Sequence, residues 1–575
     1  MKNTLRIFTL FVSASLAFAG SGSKSAVSAL SPDLQNLAPN TKVTVLIQFS
    51  SKPSQAMLSA LIGQGATTKR QFRYMPFVVA TVPAKVLPVL AKLPFVKYIS
   101  PDRQVQRHLD ITTATVGANL AWQSGYTGAG VAVAVIDSGI DNTNADLSVA
   151  GTSASRVVYS QDFVGTGTAD QYGHGTHVAG IIGSNGTNSS GAGFTRTFTG
   201  IAPQVNLLNL RVLDENGSGS DSQVIAAIEE AVALQKTYNI GVINLSLGRG
   251  IFESYTVDPL CQAVELAWKS GITVVVAAGN DGRDNSQGNQ GYGTITAPGN
   301  DPYVITVGAM NTEGTPNPSD DIMTTYSSKG PSVGDLVVKP DLVAPGNQVV
   351  SLRVPGCTLD VEYPANQVDP SYYGGVKGGT PMYFSLNGTS MATPVVSGAA
   401  ALMLQQNPAI TPDQIKMVLM LTASKTFPQS STVTDPTTGI SYTDQYDVFT
   451  VGAGYVNIAA ALNNTQALPT GYAPSPIAVV DATTGQVTAV QPNTIAWGET
   501  IAWGETIAWG ESSIFGSSVF VSGSTIAWGE TIAWGETIAW GESGTAAFNA
   551  IWSSTIAWGE SANAETMAVT HGDPK

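Results

Sequence analysis

The spacing of apolar residues changes along the chain, and each change predicts a different element. Ile7 to Ala19 is one apolar run, preceded by Lys2 and Arg6 and closed by Ala17-Phe18-Ala19. A basic start, a short apolar run and an A-x-A end predict an export signal over residues 1–19. The run is too short for a membrane span, which needs about 20 apolar residues, and no later segment is long and apolar enough. Strand patterns over Val43–Phe49, Phe77–Val82 and Val96–Ser100 alternate with helical patterns over Ser54–Gly63 and Lys85–Leu93. With one more strand from residues 68–75, this predicts a small βαββαβ domain. Val131 to Ile136 is a continuous run of small and β-branched residues, the pattern of a parallel strand buried on both faces. Val395 to Leu404 is apolar on nearly all sides and predicts a buried helix.

After residue 463 the pattern changes again. Residues 464–493 are rich in Pro, Thr and Ala and read as a linker. Then Thr-Ile-Ala-Trp-Gly-Glu occurs seven times, filling 494–511, 525–542 and 555–560. Its period is even, so an extended chain would point Ile, Trp and Glu one way and Thr, Ala and Gly the other. The expectation is a β-rich or low-complexity repeat region, packed on itself or engaged with a ligand through its Trp face.

Three short motifs at strand ends and helix starts carry the candidate chemistry. The first strand ends in Asp137-Ser138-Gly139, and ligand crevices of α/β sheets lie at the carboxyl ends of strands. His174 and His177 sit in Gly173-His-Gly-Thr-His-Val-Ala-Gly180, which holds half of the four histidines. This is not the i, i+4 pair of a zinc helix, and the glutamate of that motif is missing. Ser390, in Asn387-Gly-Thr-Ser-Met-Ala-Thr-Pro394, lies at the start of the apolar helix, where free N–H groups and the helix field favour an oxyanion. A serine needs a base to become a nucleophile, and the base needs a group to hold its tautomer. Asp137, His174 and Ser390 supply those three types in that chain order.

D-S-G-I-D, H-G-T-H-V-A-G and G-T-S-M-A-T-P together resemble the three signatures of the subtilisin-like serine proteases, the subtilases. The resemblance implies an α/β fold of three layers around a mainly parallel sheet. It implies Ser390 as nucleophile, His174 as base and then acid, and Asp137 as the orienting carboxylate, with His177 structural. Val275 to Asn280 resembles the strand that delivers an oxyanion-hole amide, so Asn280 is the expected donor. Ser246, Leu247 and Gly248 resemble one substrate-binding edge, and Gly217, Ser218 and Gly219 the other. A peptide would add as a strand between them. Ala277, Ala278 and Gly279, with Ser246 to Gly248, would wall the specificity pocket, leaving room for a large apolar side chain. The far wall is expected near Thr296 to Gly299. The basic βαββαβ segment resembles an inhibitor-type propeptide of ferredoxin-like α+β fold, with cleavage within residues 103–115.

The sequence departs from the family in two places. Asp146 matches a carboxylate that often ligates calcium, but the loop Gly183–Thr199 is long and lacks the compact calcium pattern. No cofactor is required for catalysis on this reading, and structural calcium is allowed through Asp146. The stretch Val354–Ser385 is a long insertion before the nucleophile, expected to be an ordered loop near the cleft. Cys261 and Cys357 are candidates for a disulfide in an exported protein.

Composition adds a division of charge. The 575 residues carry a net charge of −14, which argues against nucleic-acid partners. Residues 20–110 hold 11 Lys or Arg against 3 Asp or Glu, while the rest of the chain is strongly acidic. Opposite fields favour docking of the first segment on the second. The parts are then 1–19 signal, 20–110 propeptide, 111–463 catalytic domain, 464–493 linker, 494–560 repeats and 561–575 tail. The expected function is a secreted serine endopeptidase made as a self-processed zymogen, acting on proteins or peptides. The alternative is a surface- or polymer-binding protein whose working part is the Trp-rich repeat; the complete triad and Asn280 favour the enzyme.

Overall fold

The computed structural model describes residues 30–31, 34, 41–72, 75–101, 104–107, 113–286, 288–435, 438–466, 468, 470–480, 487–490, 513–514, 517–521 and 572–573. The predicted signal and all seven repeats lie outside the described residues. Among the described residues no helix is long and apolar enough to cross a membrane.

The first unit contains β1 (Lys42–Phe49), α1 (Gln55–Gly63), β2 (Thr67–Gln71), β3 (Phe77–Pro83), α2 (Leu87–Leu90) and β4 (Val96–Pro101). Its four strands form an antiparallel sheet in the order β2-β3-β1-β4. The second helix is shorter than its apolar pattern predicts. A 3-10 turn over Ala84–Val86 leads into a single α turn with Pro88 in its first positions. Proline is tolerated in a first turn, but Pro94 disfavours helix at Leu93. The sheet docks on the second unit through Phe72, Met75 and Phe77, which join that unit's core. The polar contacts place donors of this unit on acceptors of the acidic body. Met75 N–H donates to Glu229 at 3.0 Å, Ser31 to Glu253 at 3.1 Å, and Arg70 to the Ser222 carbonyl at 3.3 Å. A fifth strand, β5 (Gln104–Arg107), leaves this unit for the second.

The second unit begins with α3 (Ala118–Gln123), β6 (Ala132–Asp137), β7 (Val157–Asp162), α4 (His174–Gly183), β8 (Asn206–Arg211) and β9 (Gly219–Ser220). It continues with α5 (Asp221–Tyr238), β10 (Ile240–Leu245), β11 (Leu247–Gly248), α6 (Pro259–Lys269), β12 (Thr273–Ala277), β13 (Ile305–Asn311), β14 (Ile322–Met323) and β15 (Leu342–Pro345). Then come β16 (Val349–Leu352), α7 (Thr358–Glu362), β17 (Tyr383–Leu386), α8 (Thr389–Gln406), α9 (Pro412–Leu421), β18 (Ser430–Thr434), β19 (Ser441–Gln445), α10 (Val448–Val451) and α11 (Ile458–Leu462).

Eight of these strands make the central sheet, in the order β14-β13-β12-β10-β6-β8-β7 with β15 on β13. All pairs are parallel except β13 with β14. The runs Ala132–Asp137 and Thr273–Ala277 are buried at every position, as a sheet covered on both faces requires. Helices α4 and α8 pack together over the sheet, and α5 and α6 pack together with β10 and β12. This is the three-layer α/β fold.

Residues 473–478, read above as linker, are part of the packed body. Ala473 and Ser475 are buried, and Ser475 Oγ donates to Asp341 Oδ1 at 2.5 Å. The buried Lys416 ammonium donates to Ser475 and to the carbonyls of Pro302, Tyr303 and Val304. A buried lysine needs such partners, and the sequence gives no local sign of them. Beyond this, β20 (Ile477–Val480), β21 (Val487–Val490), β22 (Ser513–Ile514) and β23 (Ser517–Val521) form a small sheet, with β23 parallel to β21.

Candidate active site

The three motifs converge at the carboxyl end of the parallel sheet. Asp137 ends β6, and His174 Nδ1 donates to its Oδ1 at 2.6 Å. The same carboxylate oxygen accepts from Ser138 N–H at 2.7 Å. Gly175 makes this approach sterically feasible, because a Cβ there would collide with the Gly139 carbonyl and crowd Asp137. The first turn of α4 is held by a residue that sequence reasoning missed. Asp170, fully buried, accepts from Gly173 N–H at 2.7 Å, Thr176 N–H at 2.8 Å and Ser138 Oγ at 2.8 Å. Burial pushes its carboxyl up, and the two helix amides pull it back. The available signal was a carboxylate four residues before His174, where free helix amides attract one.

His177 lies one turn along α4. Its Nε2 donates to the Phe384 carbonyl at 3.0 Å, and burial lowers its pKa to about 3.

Ser390 lies in the first turn of α8. Its Oγ donates to the Ser246 carbonyl at 3.1 Å, and Ser246 Oγ donates to the Ser390 carbonyl at 2.8 Å. Asn244 donates to Ser246 Oγ at 2.9 Å and accepts from Ser397 at 2.8 Å. This network locks β10 to α8. Asn280, just after β12, is fixed by its other end. Its Oδ1 accepts from Thr389 N–H at 3.0 Å and Thr389 Oγ1 at 3.2 Å. Its buried Nδ2 has no hydrogen-bond partner. An amide N–H held without a partner is a donor waiting for an acceptor.

Both expected substrate edges border one groove, and the chain itself fills it. Strand β5 pairs antiparallel with β11 (Arg107 opposite Leu247, Gln106 opposite Gly248) and with β9 (Val105 opposite Gly219, Gln104 opposite Ser220). Gly217 and Ser218 form the turn before β9, where Asp214 N–H donates to the Ser218 carbonyl at 2.9 Å. The two edges are tied together by Arg249, a second residue missed. Its Nε donates to Asp221, which follows β9, at 3.0 Å, and its Nη2 to Asp258 at 2.8 Å. The insertion Val354–Ser385 is ordered, as expected, and braces the site. Thr358 and Leu359 N–H donate to the Gln171 and Tyr172 carbonyls beside His174, and Thr358 Oγ1 donates to the Glu215 carbonyl at 2.7 Å.

Two expectations, the disulfide and the calcium ligand, are corrected here. Ser246 to Gly248 and Ala277 to Gly279 both approach Thr296, within the stretch expected as the pocket's far wall. Thr296 lies against both, since a Cβ on Gly248 would lie 2.5 Å from its Oγ1 and one on Gly279 2.8 Å from its Cγ2. Cys261 and Cys357 are both free and buried. Cys261 Sγ donates to Asn300, whereas Cys357 packs on Gly173, and burial pushes the Cys357 thiol up to about 12.

Asp146 is the second. Its oxygens accept from Asn188 N–H at 2.6 Å, Tyr383 OH at 2.8 Å and Ser184 Oγ at 3.1 Å, so donors occupy the carboxylate. Beside it the Arg156 guanidinium collects the carbonyls of Asp146, Ser148, Val205 and Gly183. Among the described residues no group of three or more His, Cys, Asp or Glu side chains could hold a metal ion. A fixed organic cation fills this cradle, and the residues do not fit calcium.

The pattern of the Subtilase family matches residues 128–490, well over half of the chain. The chain is a subtilase. It is 36% identical over 346 residues to serine protease AprX of Bacillus subtilis, covering 59% of this chain and 71% of that protein. It is 34% identical over 381 residues to subtilisin E of the same species, covering 66% and 83%. An extracellular serine proteinase of Thermus shares 33% over 359 residues, covering 60% and 70%. This subtilase is therefore a serine endopeptidase, and the catalysis of its family needs no cofactor.

Two stability predictions follow from the buried groups. His177 is neutral in the fold, with its pKa depressed to about 3 from 6.5. Its contribution is full above the unfolded value and is lost as pH falls from about 6.5 toward 3. In His177→Gln, thermal midpoints measured across that window should fall less steeply with acid than in the parent. Arg156→Met should lower stability by about 1–3 kcal/mol or more, because it leaves the buried carbonyls of Asp146, Ser148, Gly183 and Val205 without their donor. Urea unfolding of the Ser390→Ala background measures this; an unchanged midpoint would show that the guanidinium is dispensable.

Proposed function

We propose that this subtilase hydrolyses peptide bonds through Asp137, His174 and Ser390, and that residues 20–110 are its own inhibitory propeptide. The observation that carries the reading is β5, seated as a strand between β9 and β11, with Ser246, just before β11, bonded to Ser390 Oγ. On this reading the Ser390 hydroxyl turns from the Ser246 carbonyl toward His174 Nε2. It gives up its proton there as Oγ bonds to the scissile carbonyl carbon. The oxyanion accepts from Asn280 Nδ2 and from Ser390 N–H in the first turn of α8. Asp137 holds the Nδ1–H tautomer and stabilises the imidazolium. His174 then gives the proton to the leaving nitrogen as the C–N bond breaks, leaving an acyl-enzyme on Ser390. Water repeats the sequence in reverse and frees the acid.

The register supports one cleavage point. Arg107 pairs with Leu247, and Ser246, the acceptor of the Ser390 hydroxyl, precedes Leu247. Counting one residue on from Arg107 gives His108, so the bond between His108 and Leu109 is the expected cut. The basic start at residues 1–19 and the extracellular relative support export. The repeats are then an accessory module, with Trp faces available to a surface or polymer ligand.

Expressed in a protease-free host, Ser390→Ala should accumulate with residues 20–110 attached, while the active chain should begin at Leu109 by N-terminal sequencing. Normal processing of the alanine variant would sink self-cleavage, and a different first residue would sink the register. Thr296→Gly should deepen the specificity pocket. We expect kcat/KM on peptides with Phe before the scissile bond to rise roughly tenfold relative to Ala, the scale of a methyl-sized change in a pocket. An unchanged ratio would remove Thr296 from specificity.

A further inference from the structure

Gly572 and Asp573 follow the repeats in sequence, yet both are buried against the protease body. Every polar group of Asp573 is engaged. Oδ1 accepts from Arg283 Nη2 and Thr325 Oγ1, both at 2.7 Å, and Oδ2 accepts from Thr325 N–H at 2.7 Å. Its carbonyl accepts from the side-chain amides of Asn347 and Gln348, both at 3.0 Å, and its N–H donates to Asn347 Oδ1 at 2.9 Å. Gly572 adopts φ 57°, and a Cβ there would collide with the side chain of Asn387. The surroundings therefore select a glycine followed by a short carboxylate. A buried carboxylate with a cation and two further donors is a built site, not a chance surface contact.

We propose that Arg283, Thr325, Asn347, Gln348 and Asn387 form a docking seat for the Gly572-Asp573 segment of this chain, fastening the far end of the repeat region to the protease. The near end is already fixed, since Ala473 N–H donates to Asp413 at 2.7 Å and Ser475 to Asp341 at 2.5 Å. In sequence, the repeats lie between these two seated segments. The seat adjoins the nucleophile turn: Asn387 accepts from Gln348 N–H at 2.8 Å, and Gly388 N–H donates to the Gly346 carbonyl at 2.9 Å.

The test is hydrogen exchange on the full chain carrying Ser390→Ala, so that it cannot digest itself. Adding Asp573→Asn should speed exchange at the Thr325 amide by about tenfold or more, the scale of a lost charge-assisted hydrogen bond, while β6 and β10 keep their protection. Excess peptide Thr-His-Gly-Asp-Pro-Lys should restore protection at Thr325, and the same peptide with Asn in place of Asp should not. Equal protection with and without Asp573→Asn, or equal rescue by both peptides, would overturn the seat.

Discussion

Everything at the active site depends on one close approach, the first turn of α4 against the end of β6. Only a glycine at 175 leaves space for the Gly139 carbonyl, and only that contact brings His174 within 2.6 Å of Asp137. The approach is costly to hold, because it buries a carboxylate, an imidazole and several backbone amides. The structure offsets that cost with more polar partners. Asp170 takes the free helix amides, Ser138 links it to the strand end, and the Thr358–Leu359 segment pairs with the backbone before His174. Cys357 lies tight on Gly173, so it serves as packing and not as a crosslink.

The groove obeys a second constraint. Strands β9 and β11 are two residues each, too short to keep a separation by their own pairing. Arg249 sets that separation through Asp221 and Asp258, two buried carboxylates that would be costly unpaired. The gap between β9 and β11 is one strand wide, and β5 occupies it, pairing with both.

Much of this was legible in the sequence for a local reason. Asp137, His174, Ser390 and Asn280 each sit inside a run whose neighbours are needed for their own packing, so the motif and the chemistry occupy the same few residues. The edges that β5 pairs with were legible for the same reason, and the βαββαβ order followed from periodicity. What was not legible joins residues far apart. Asp146 looked like a ligand because its neighbours match, but its partners are Asn188, Tyr383 and Arg156, and only the fold brings a guanidinium to that cradle. Residues 473–478 looked like linker because Pro and Ala dominate there. Their role is set by Lys416 and Asp341, buried groups whose solvation they complete. Pro94 helped end α2 early, where apolar spacing alone suggested a helix over Lys85–Leu93.

The paired anchors at 473–478 and 572–573 bear on how such a chain changes over time. When both ends of a segment are fixed, its length enters stability mainly through closure entropy. That term grows logarithmically, by about 0.6 kcal/mol for each doubling of length. Gaining or losing a whole hexapeptide between the anchors is then nearly neutral for the protease. Repeat number is thereby uncoupled from the catalytic fold. Copies of Thr-Ile-Ala-Trp-Gly-Glu can multiply or shrink in the gene while Gly572-Asp573 still reaches the same place.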